Sequence, residues 1–444
     1  VCSQFGRIGL VLPTGIATDS FNQYFFRNLS ETKSIASLYG FENEEKLFPN
    51  VHNEFKFCLL TLCGAGASAE ESDFLFFARR LSHLRDGHRH FSLSADDIAL
   101  LNPNTRTCPV FRAKRDAEIS KAVYQRIPVL ELEGPETRDN PWGVSFMLMF
   151  MMNTASHLFR TQEQLKDEGW VLQGNAFRRG DSVYLPLYEG KMIGQFDHRF
   201  GTYEGQTQAQ ANKGLLPQVT ERDHADPSRV VLPKYWVPEA ELPAKARCNR
   251  SAYLGFRDIT NAVVTRTAVF ALLPPVAFGH TLPLVLRDTA DPAALALLAA
   301  CMNSFVFDFI TRQKLGGTHL SFFVLRQLPV LPPTAFAQRC PWDMGLTLGE
   351  WVWERAFELT YTSNDLEPYA RSCGFAGPPF RWDPERRLFL RCQLDAAFFR
   401  LYGLSRDEVE HVMESFWVVR NRDEAAHGEY RTKLAVLNEY DALA

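Results

Sequence analysis

The sequence predicts an α/β unit, then an irregular β-rich α+β region, then a helical tail. Three observations carry this reading. The first 66 residues alternate strand, helix, strand and strand patterns. From about Arg126, Pro, Gly and Trp break up short apolar runs. From Phe336 onward, helical periodicity returns beneath a dense cover of charge. The implied boundaries are 1–66 for the α/β unit, 67–125 for a helical connector, 126–335 for the β-rich region and 336–444 for the tail.

In the α/β unit, Arg7–Pro13 (RIGLVLP) has the pattern of a buried strand and Ser20–Glu31 that of a helix. Ser34–Phe41 and Phe55–Leu62 are the next two strands, with Leu47–His52 (LFPNVH) as the turn between them. Arg7–Pro13 reads as a central strand lacking a neighbour, so part of this unit is expected upstream of Val1. Glu70–Leu84, with Phe74, Phe76, Phe77 and Leu81, is a helix candidate. Ser94–Leu101 has capping-box spacing between Ser94 and Asp97, and Asp116–Tyr124 is a further helix.

The β-rich region contains strand candidates at Val129–Glu133, Val144–Met152, Tyr184–Leu187, Val230–Pro233, Tyr235–Pro238, Leu254–Ile259, Val269–Leu273 and Thr281–Leu286. Ala293–Arg312 reads as one long helix within it. Gly316–Gly317 then leads to a strand, Leu320–Leu325, and to Leu328–Pro333, whose prolines keep it extended. Leu348–Tyr361, Pro384–Tyr402, Ser405–Val418 and Gly428–Leu443 are helices of the tail, with Ser405 and Glu408 as cap and box partner.

Composition narrows the function. The 444 residues are 46% hydrophobic and 23% charged, enough for two or three cores. The net charge of −4 excludes a globally basic protein, so a nucleic-acid partner must meet a local basic face. The cysteines (Cys2, Cys58, Cys63, Cys108, Cys248, Cys301, Cys340, Cys373 and Cys392) form no CxxC pair and no zinc-finger spacing. They read as reduced, buried thiols of a cytoplasmic protein. Ala268–Leu286 and Ala293–Ile310 are too interrupted for a membrane span of about 20 apolar residues. His88 and His90 have metal-like spacing without a nearby carboxylate or Cys cluster, so no metal is expected. Val144–Met152 is Met-rich and reads as core.

Burial in the core is the ordinary fate of a Phe such as Phe48, in a turn between two strands. The alternative is a rigid stacking face for a flat ligand. A resemblance favours the second. Gly6–Pro13 and Phe48–Pro49 resemble the C-terminal part of the catalytic domain in gamma-class N6-adenine DNA methyltransferases. There a strand G-x-(I/V)-x-x-(I/V)-x-P is followed by a helix, a strand and an aromatic-Pro loop. The resemblance implies a partial Rossmann-like methyltransferase sheet, with Phe48 stacking on an adenine flipped out of the duplex. It implies S-adenosyl-L-methionine as the methyl donor. The family's Asn-Pro-Pro-aromatic and F-x-G-x-G motifs are missing: Asn102–Pro103 and Asn140–Pro141 are followed by Asn104 and Trp142. The donor pocket is therefore expected upstream, and this chain alone is expected not to methylate DNA.

Leu185–Glu204 (LPLYEGKMIGQFDHRFGTYE) resembles the start of the target-recognition domain in large Eco57I-like adenine methyltransferases of restriction-modification and phage-defence systems. Asn249–Ile259 and Ser304–Pro333 are similar to later parts of that domain. Pro378–Trp382, Leu394–Leu404 and His427–Lys433 are similar to the family's tail. The DNA-binding candidates implied are Lys191, His198, Arg199, Arg250, Arg257, Arg312, Lys314, Thr318 and His319. Physically, Gly316–Gly317 would let backbone amides approach a phosphate. Arg312 and Lys314 equally suit a plain helix C-terminus. Arg386, Arg387 and Arg391 read as a solvated face. Asp197–His198–Arg199 lacks the nucleophile that hydrolase chemistry would need. Double-stranded DNA and restriction or defence-system proteins are the implied partners. Two rivals remain: a non-catalytic sequence-recognition (specificity) module, and an unrelated nucleotide-binding α/β enzyme, for which no phosphate loop is present.

Overall fold

A computed structural model describes residues 3–53, 55–134, 138–244, 250–287 and 291–444. Cys2, Cys248 and Asn249, the first residue of the Asn249–Ile259 segment, lie outside the described residues. The chain is a mixed α/β protein.

The first sheet has five strands: β1 (Arg7–Pro13), β2 (Ile35–Glu42), β3 (Lys56–Cys63), β4 (Ser72–Ala78) and β5 (Phe91–Leu93), in the order β1-β3-β2-β4-β5. Helix α1 (Gln23–Glu31) connects β1 to β2. β3 is antiparallel to both its neighbours, with Arg7 opposite Cys63 and Pro13 opposite Phe57. β2 and β4 are parallel. β1 therefore has one neighbour and, among the described residues, stands at the sheet edge. Its outer side is apolar and open: Leu10 and Val11 are exposed, as are Phe21, Tyr24 and Phe25 on the following segment.

The sheet extends beyond residue 66, where a helical connector was expected. Glu70–Leu84 is not a helix but β4 followed by a 3-10 turn at Leu81–Arg85. Phe74, Leu75 and Phe76 are all buried, as suits a strand covered on both faces. The short apolar run fits either period, and tertiary pairing with β2 settles it as a strand. Between Tyr39 and Phe41 the register shifts, and Phe77 takes a left-handed φ of 59° at that irregularity. Helix α2 (Ala95–Leu101) has the expected capping box, Ser94 with Asp97, and α3 (Lys114–Arg126) follows.

Besides a two-residue ladder between Leu132–Glu133 and Arg138–Asp139, the β-rich region contains two further sheets. β6 (Val144–Met147) belongs to the order β12-β11-β14-β6, where β11 is Tyr253–Phe256, β12 Phe270–Leu273 and β14 Leu284–Arg287. The other sheet runs β10-β9-β8-β7, with β7 Val171–Gln173, β8 Ala176–Arg179, β9 Ser182–Tyr188 and β10 Trp236–Pro238; β13 (Ala277–Phe278) pairs beside β9. The β7–β8 hairpin went unpredicted, although Gly174–Asn175 is a turn signal and Gly174 has a φ of 61°. Val230–Pro233 forms no strand.

The expected long helix is two: α4 (Ala293–Met302) and α5 (Phe305–Arg312), bent by 56°. The break falls at Ser304, whose backbone is extended; Asn303 still donates its N–H to the Ala299 carbonyl, while its side-chain amide bonds both backbone groups of Phe270, each at 2.9 Å. Ser304 then caps α5 by accepting from the Phe307 amide. No single described helix is long and apolar enough to cross a membrane. After Gly316–Gly317 comes helix Phe322–Arg326 in place of the expected strand; only the His319–Ile259 bridge is β-like.

The tail comprises α6 (Leu348–Thr360), α7 (Pro384–Leu401), α8 (Arg406–Glu414), α9 (Trp417–His427) and α10 (Arg431–Ala442). Ser405 and Glu408 form the predicted capping box. The Ser405–Val418 helix is broken at Ser415–Phe416, where the Phe416 ring is buried against Phe305. One apolar cluster runs from Leu38 and Phe74 of the first sheet through α4 and α5 to Phe398 and Tyr440 of the tail. A second fills the β-rich region.

Candidate nucleic-acid interface

Phe48 is not core. It is 43% exposed, on a turn held from within by the buried Asn43. The Asn43 side chain donates to the Phe48 and Val51 carbonyls at 3.0 and 2.9 Å and accepts from the Phe48 amide at 2.9 Å. The Phe48 ring stands edge-on to Phe57, which stacks on Phe41.

Phe41 is also in the wall of a cleft of about 590 Å³ between the first sheet and the β-rich region. Glu44, Asn53 and Phe55, which flank the Phe48 turn, line it as well. Across the cleft are Asn261–Val263 and Gly316–Thr318. Two cations project into it. Lys56 Nζ and Arg112 Cζ lie 5.7 and 4.0 Å from the Phe77 ring centroid, so two cations share one ring. Desolvation by the cleft walls lowers the pKa of both, and Glu42, itself paired with Arg79 at 2.9 Å, partly offsets it. Lys56 also donates to the Gly316 carbonyl at 3.3 Å.

The other candidates divide sharply. Thr318 and His319 are exposed, and His319 pairs with Asp258 at 2.8 Å. Lys191 is half-exposed, 4.9 Å from the Tyr203 ring centroid. Arg257 donates to the Gly190 and Ile193 carbonyls, and Arg250 donates to the Arg287 carbonyl at 3.2 Å in a separate depression beside β9.

Four candidates are interior ties, which corrects the expectation that they face DNA. Arg199 is completely buried; its terminal nitrogens donate to the carbonyls of Asp226, Arg229, His224 and Thr362. His198 is buried against Asp365 at 2.9 Å and the Ser363 hydroxyl. Both join the β-rich region to the tail. Arg312 is paired with Asp308 at 3.0 Å and lies over the Phe416 ring. Lys314 donates to the Leu101 carbonyl and to Asn102 Oδ1, and burial pushes its pKa well below the ordinary lysine value. Arg312 and Lys314 thus tie the chain ahead of the Gly316–Gly317 turn to the body of the protein.

The expected solvated face of Arg386, Arg387 and Arg391 is also only partly such a face. Arg386 is exposed and paired with Glu358 at 2.8 Å. Arg387 is buried beneath Trp382 and donates to the Leu359 and Phe196 carbonyls; burial lowers it to about 9. Arg391 lines a second cleft, of about 680 Å³, together with Lys191, Arg257 and Arg422. Lys56, Phe77, Arg112 and Arg422 line these two clefts and were not among the candidate site residues singled out in the sequence. They come from distant parts of the chain, and no local pattern links them.

No group of His, Cys, Asp or Glu among the described residues could hold a metal. His90 instead bonds Asp73 at 2.9 Å.

No protein-family profile and no curated protein matches this chain. Among solved structures, it is similar to the Type IIL restriction-modification enzyme MmeI in complex with DNA, at 11% identity and a TM-score of 0.42, over 94% of this chain and 50% of that one. It is also similar to the type IIG restriction endonuclease BpuSI, at 11% identity and a TM-score of 0.32, over 99% of this chain and 47% of that one. The chain spans about half the length of these two structures.

Proposed function

We propose that this chain is the DNA-holding portion of a site-specific adenine-N6 DNA methyltransferase of restriction-modification type. The observation that carries this reading is the setting of Phe48: an exposed aromatic on an internally clasped turn, beside a cleft carrying Lys56 and Arg112 and walled opposite by Gly316–Gly317. An aromatic face of this kind contributes roughly 1–3 kcal/mol per stacked base, and the flanking cations suit the adjoining phosphates. Phe48 would stack on the extrahelical adenine while the cleft holds the strand from which it was flipped.

The chain's own residues do not fit the methyl donor. In the first sheet β1 leads into a one-turn helix, Gly15–Thr18, and β5 leads into α2. The β1 exit, Thr14–Gly15, is occupied by the Asp19 carboxylate, which a Cβ on Gly15 would meet at 2.3 Å. The β5 exit is closed by the Ser94–Asp97 capping box. Neither presents a glycine-rich cradle of free amides for S-adenosyl-L-methionine. Donor motifs would belong to a segment or subunit outside these 444 residues. The open β1 edge, with Leu10, Val11, Phe21 and Phe25 exposed around it, offers that segment a strand to pair with and an apolar surface to cover.

The same misfit favours a second reading, a non-catalytic sequence-recognition module. Both readings require duplex binding that weakens steeply with salt. Fluorescence anisotropy with a labelled duplex over a KCl series tests this: absent or salt-independent binding refutes both. Methyl transfer to duplex adenine, when the chain is joined to a segment carrying F-x-G-x-G and Asn-Pro-Pro-aromatic motifs, separates them.

A further inference from the structure

We propose that Arg257, Arg391 and Arg422 form a second phosphate-binding site, in which the helical tail and the β-rich region together grip the DNA backbone. The proposal rests on the DNA-holding reading and extends the contact to the tail.

The cleft of about 680 Å³ lies between Gly190–Lys191, the 259–266 loop and helices α7 and α9. Five cations line it (Lys191, Arg257, Arg266, Arg391 and Arg422) against one carboxylate, Glu189. That carboxylate is already engaged: it accepts from the Tyr203 hydroxyl at 2.7 Å and lies 4.0 Å from Lys191. Arg266 is neutralised by Asp308 at 2.9 Å. Arg257, Arg391 and Arg422 make no ion pair with a carboxylate among the described residues, although Asp395 and Asp197 act on Arg391 through space. Arg257 gives its Nε and one terminal nitrogen to two carbonyls, and its other terminal nitrogen has no hydrogen bond among the described residues. Arg422 reaches only the Thr265 hydroxyl, at 3.5 Å. Arg391 makes no hydrogen bond or ion pair among the described residues.

Burial lowers the pKa of both Arg257 and Arg391. Arg257 and Arg391 are desolvated there, Asp395 and Asp197 offset the cost for Arg391 only in part, and a bound anion relieves the rest. Guanidinium geometry matches phosphate oxygens.

The neighbouring cleft identifies the anion as a polymer. Ile259 and Val264–Arg266 face this cavity, whereas Asn261–Val263, from the same loop, face the cleft beside Phe48. One loop separates the two. A duplex backbone running past this loop would meet both sites, whereas a free phosphate would fill only one.

The test uses the whole chain, with Arg391→Gln and Arg422→Gln made singly and together. Arg422 is exposed, so its variant keeps the fold, which circular dichroism verifies. Affinity for a labelled duplex of mixed sequence is measured by anisotropy between about 50 and 200 mM KCl. Each substitution should lower the slope of log affinity against log salt by about 0.9. Arg386→Gln, on the same helix but outside the cavity, should leave the slope unchanged. Unsubstituted protein that binds DNA normally, with variants of unaltered slope, overturns this site and leaves the DNA-holding reading intact. Absence of duplex binding by the unsubstituted protein overturns both. Pyrophosphate binding that is lost in the variants while their duplex slope is kept would reassign the cavity to a small phosphoryl ligand and overturn the backbone proposal.

Discussion

Asn43 and Phe48 clasp each other through paired amides: Asn43 Nδ2 donates to the Phe48 carbonyl at 3.0 Å, and Asn43 Oδ1 accepts from the Phe48 N–H at 2.9 Å. A third bond, from Asn43 to the Val51 carbonyl, closes the turn. The side chain of one buried residue therefore does the work of a short strand pair and leaves the Phe48 ring outside the core. Asn43→Ala strips the turn of all three bonds and should cost about 2 kcal/mol of unfolding free energy. Urea titration checks this. A loss below about 0.5 kcal/mol, the size of an ordinary surface substitution, would show that the turn holds itself.

Phe48→Ala separates stacking from stability. The ring is part-exposed and gives up one edge-on contact with Phe57, worth about 0.5–1.5 kcal/mol. Stability should fall by about that amount, and the fold should be kept. With the donor segment supplied, fluorescence of 2-aminopurine at the target position should fall well below that of the parent. Unchanged flipping would remove the role proposed for Phe48.

Arg199 and Lys191 lie eight positions apart in one segment that resembles a recognition domain, yet they should behave oppositely. Arg199→Met leaves four carbonyls in the interior without their donor and should cost more than about 3 kcal/mol, or prevent folding. Lys191→Gln, at a half-exposed cation, should change stability by less than about 0.5 kcal/mol and reduce the salt dependence of DNA binding. Urea melts paired with anisotropy decide it; a destabilised Lys191 variant or an innocuous Arg199 variant would reverse the assignment.

Where the sequence was legible, local physics was sufficient. β1 starts and stops at the predicted residues, and the Ser94 and Ser405 caps each find the box partner three residues on. Legibility ended where tertiary demand competed with local preference. Phe74–Phe77 suits a helix or a strand, and β2 makes it a strand. Ser304 could continue a helix, but it turns extended and caps α5, while the Asn303 amide beside it holds the β12 backbone. Arg199 and Lys191 both read as exposed cations, and only the assembled fold shows which one is surrounded by carbonyls. The clefts were the least legible feature, because Lys56 meets Arg112, and Arg257 meets Arg391, only through long-range packing.

Asp395 gives the protein a measurable pH dependence. Its carboxyl is buried behind α5, accepts from the Phe305 N–H at 2.7 Å, and is raised by burial to about 6. The unfolded chain returns it to about 3.9. The folded state thus holds the proton more tightly, and the associated stability is complete below about pH 4 and lost as pH rises through about 6. Asp395→Asn keeps an acceptor for the Phe305 N–H without the buried charge. It should melt above the parent at pH 8, by an amount worth about 3 kcal/mol, with the gap closing toward pH 4. Differential scanning calorimetry across that range checks this; a gap independent of pH would mean that Asp395 does not titrate there.

The Lys56–Phe77–Arg112 cluster makes a prediction about slope and affinity separately. If both cations meet phosphates, Lys56→Gln and Arg112→Gln should each flatten the salt dependence by about 0.9. Phe77 contacts both cations but carries no charge. Phe77→Leu keeps the apolar fill and the number of cations while removing the ring face that positions them. Its slope should therefore match the parent, with affinity reduced about 2–5-fold, the worth of an exposed cation–ring contact. A Phe77→Leu variant with a flattened slope would mean that the ring holds the cations' charge in the cleft and does more than orient it. Unchanged slopes for both cation variants would remove this cleft from the DNA path.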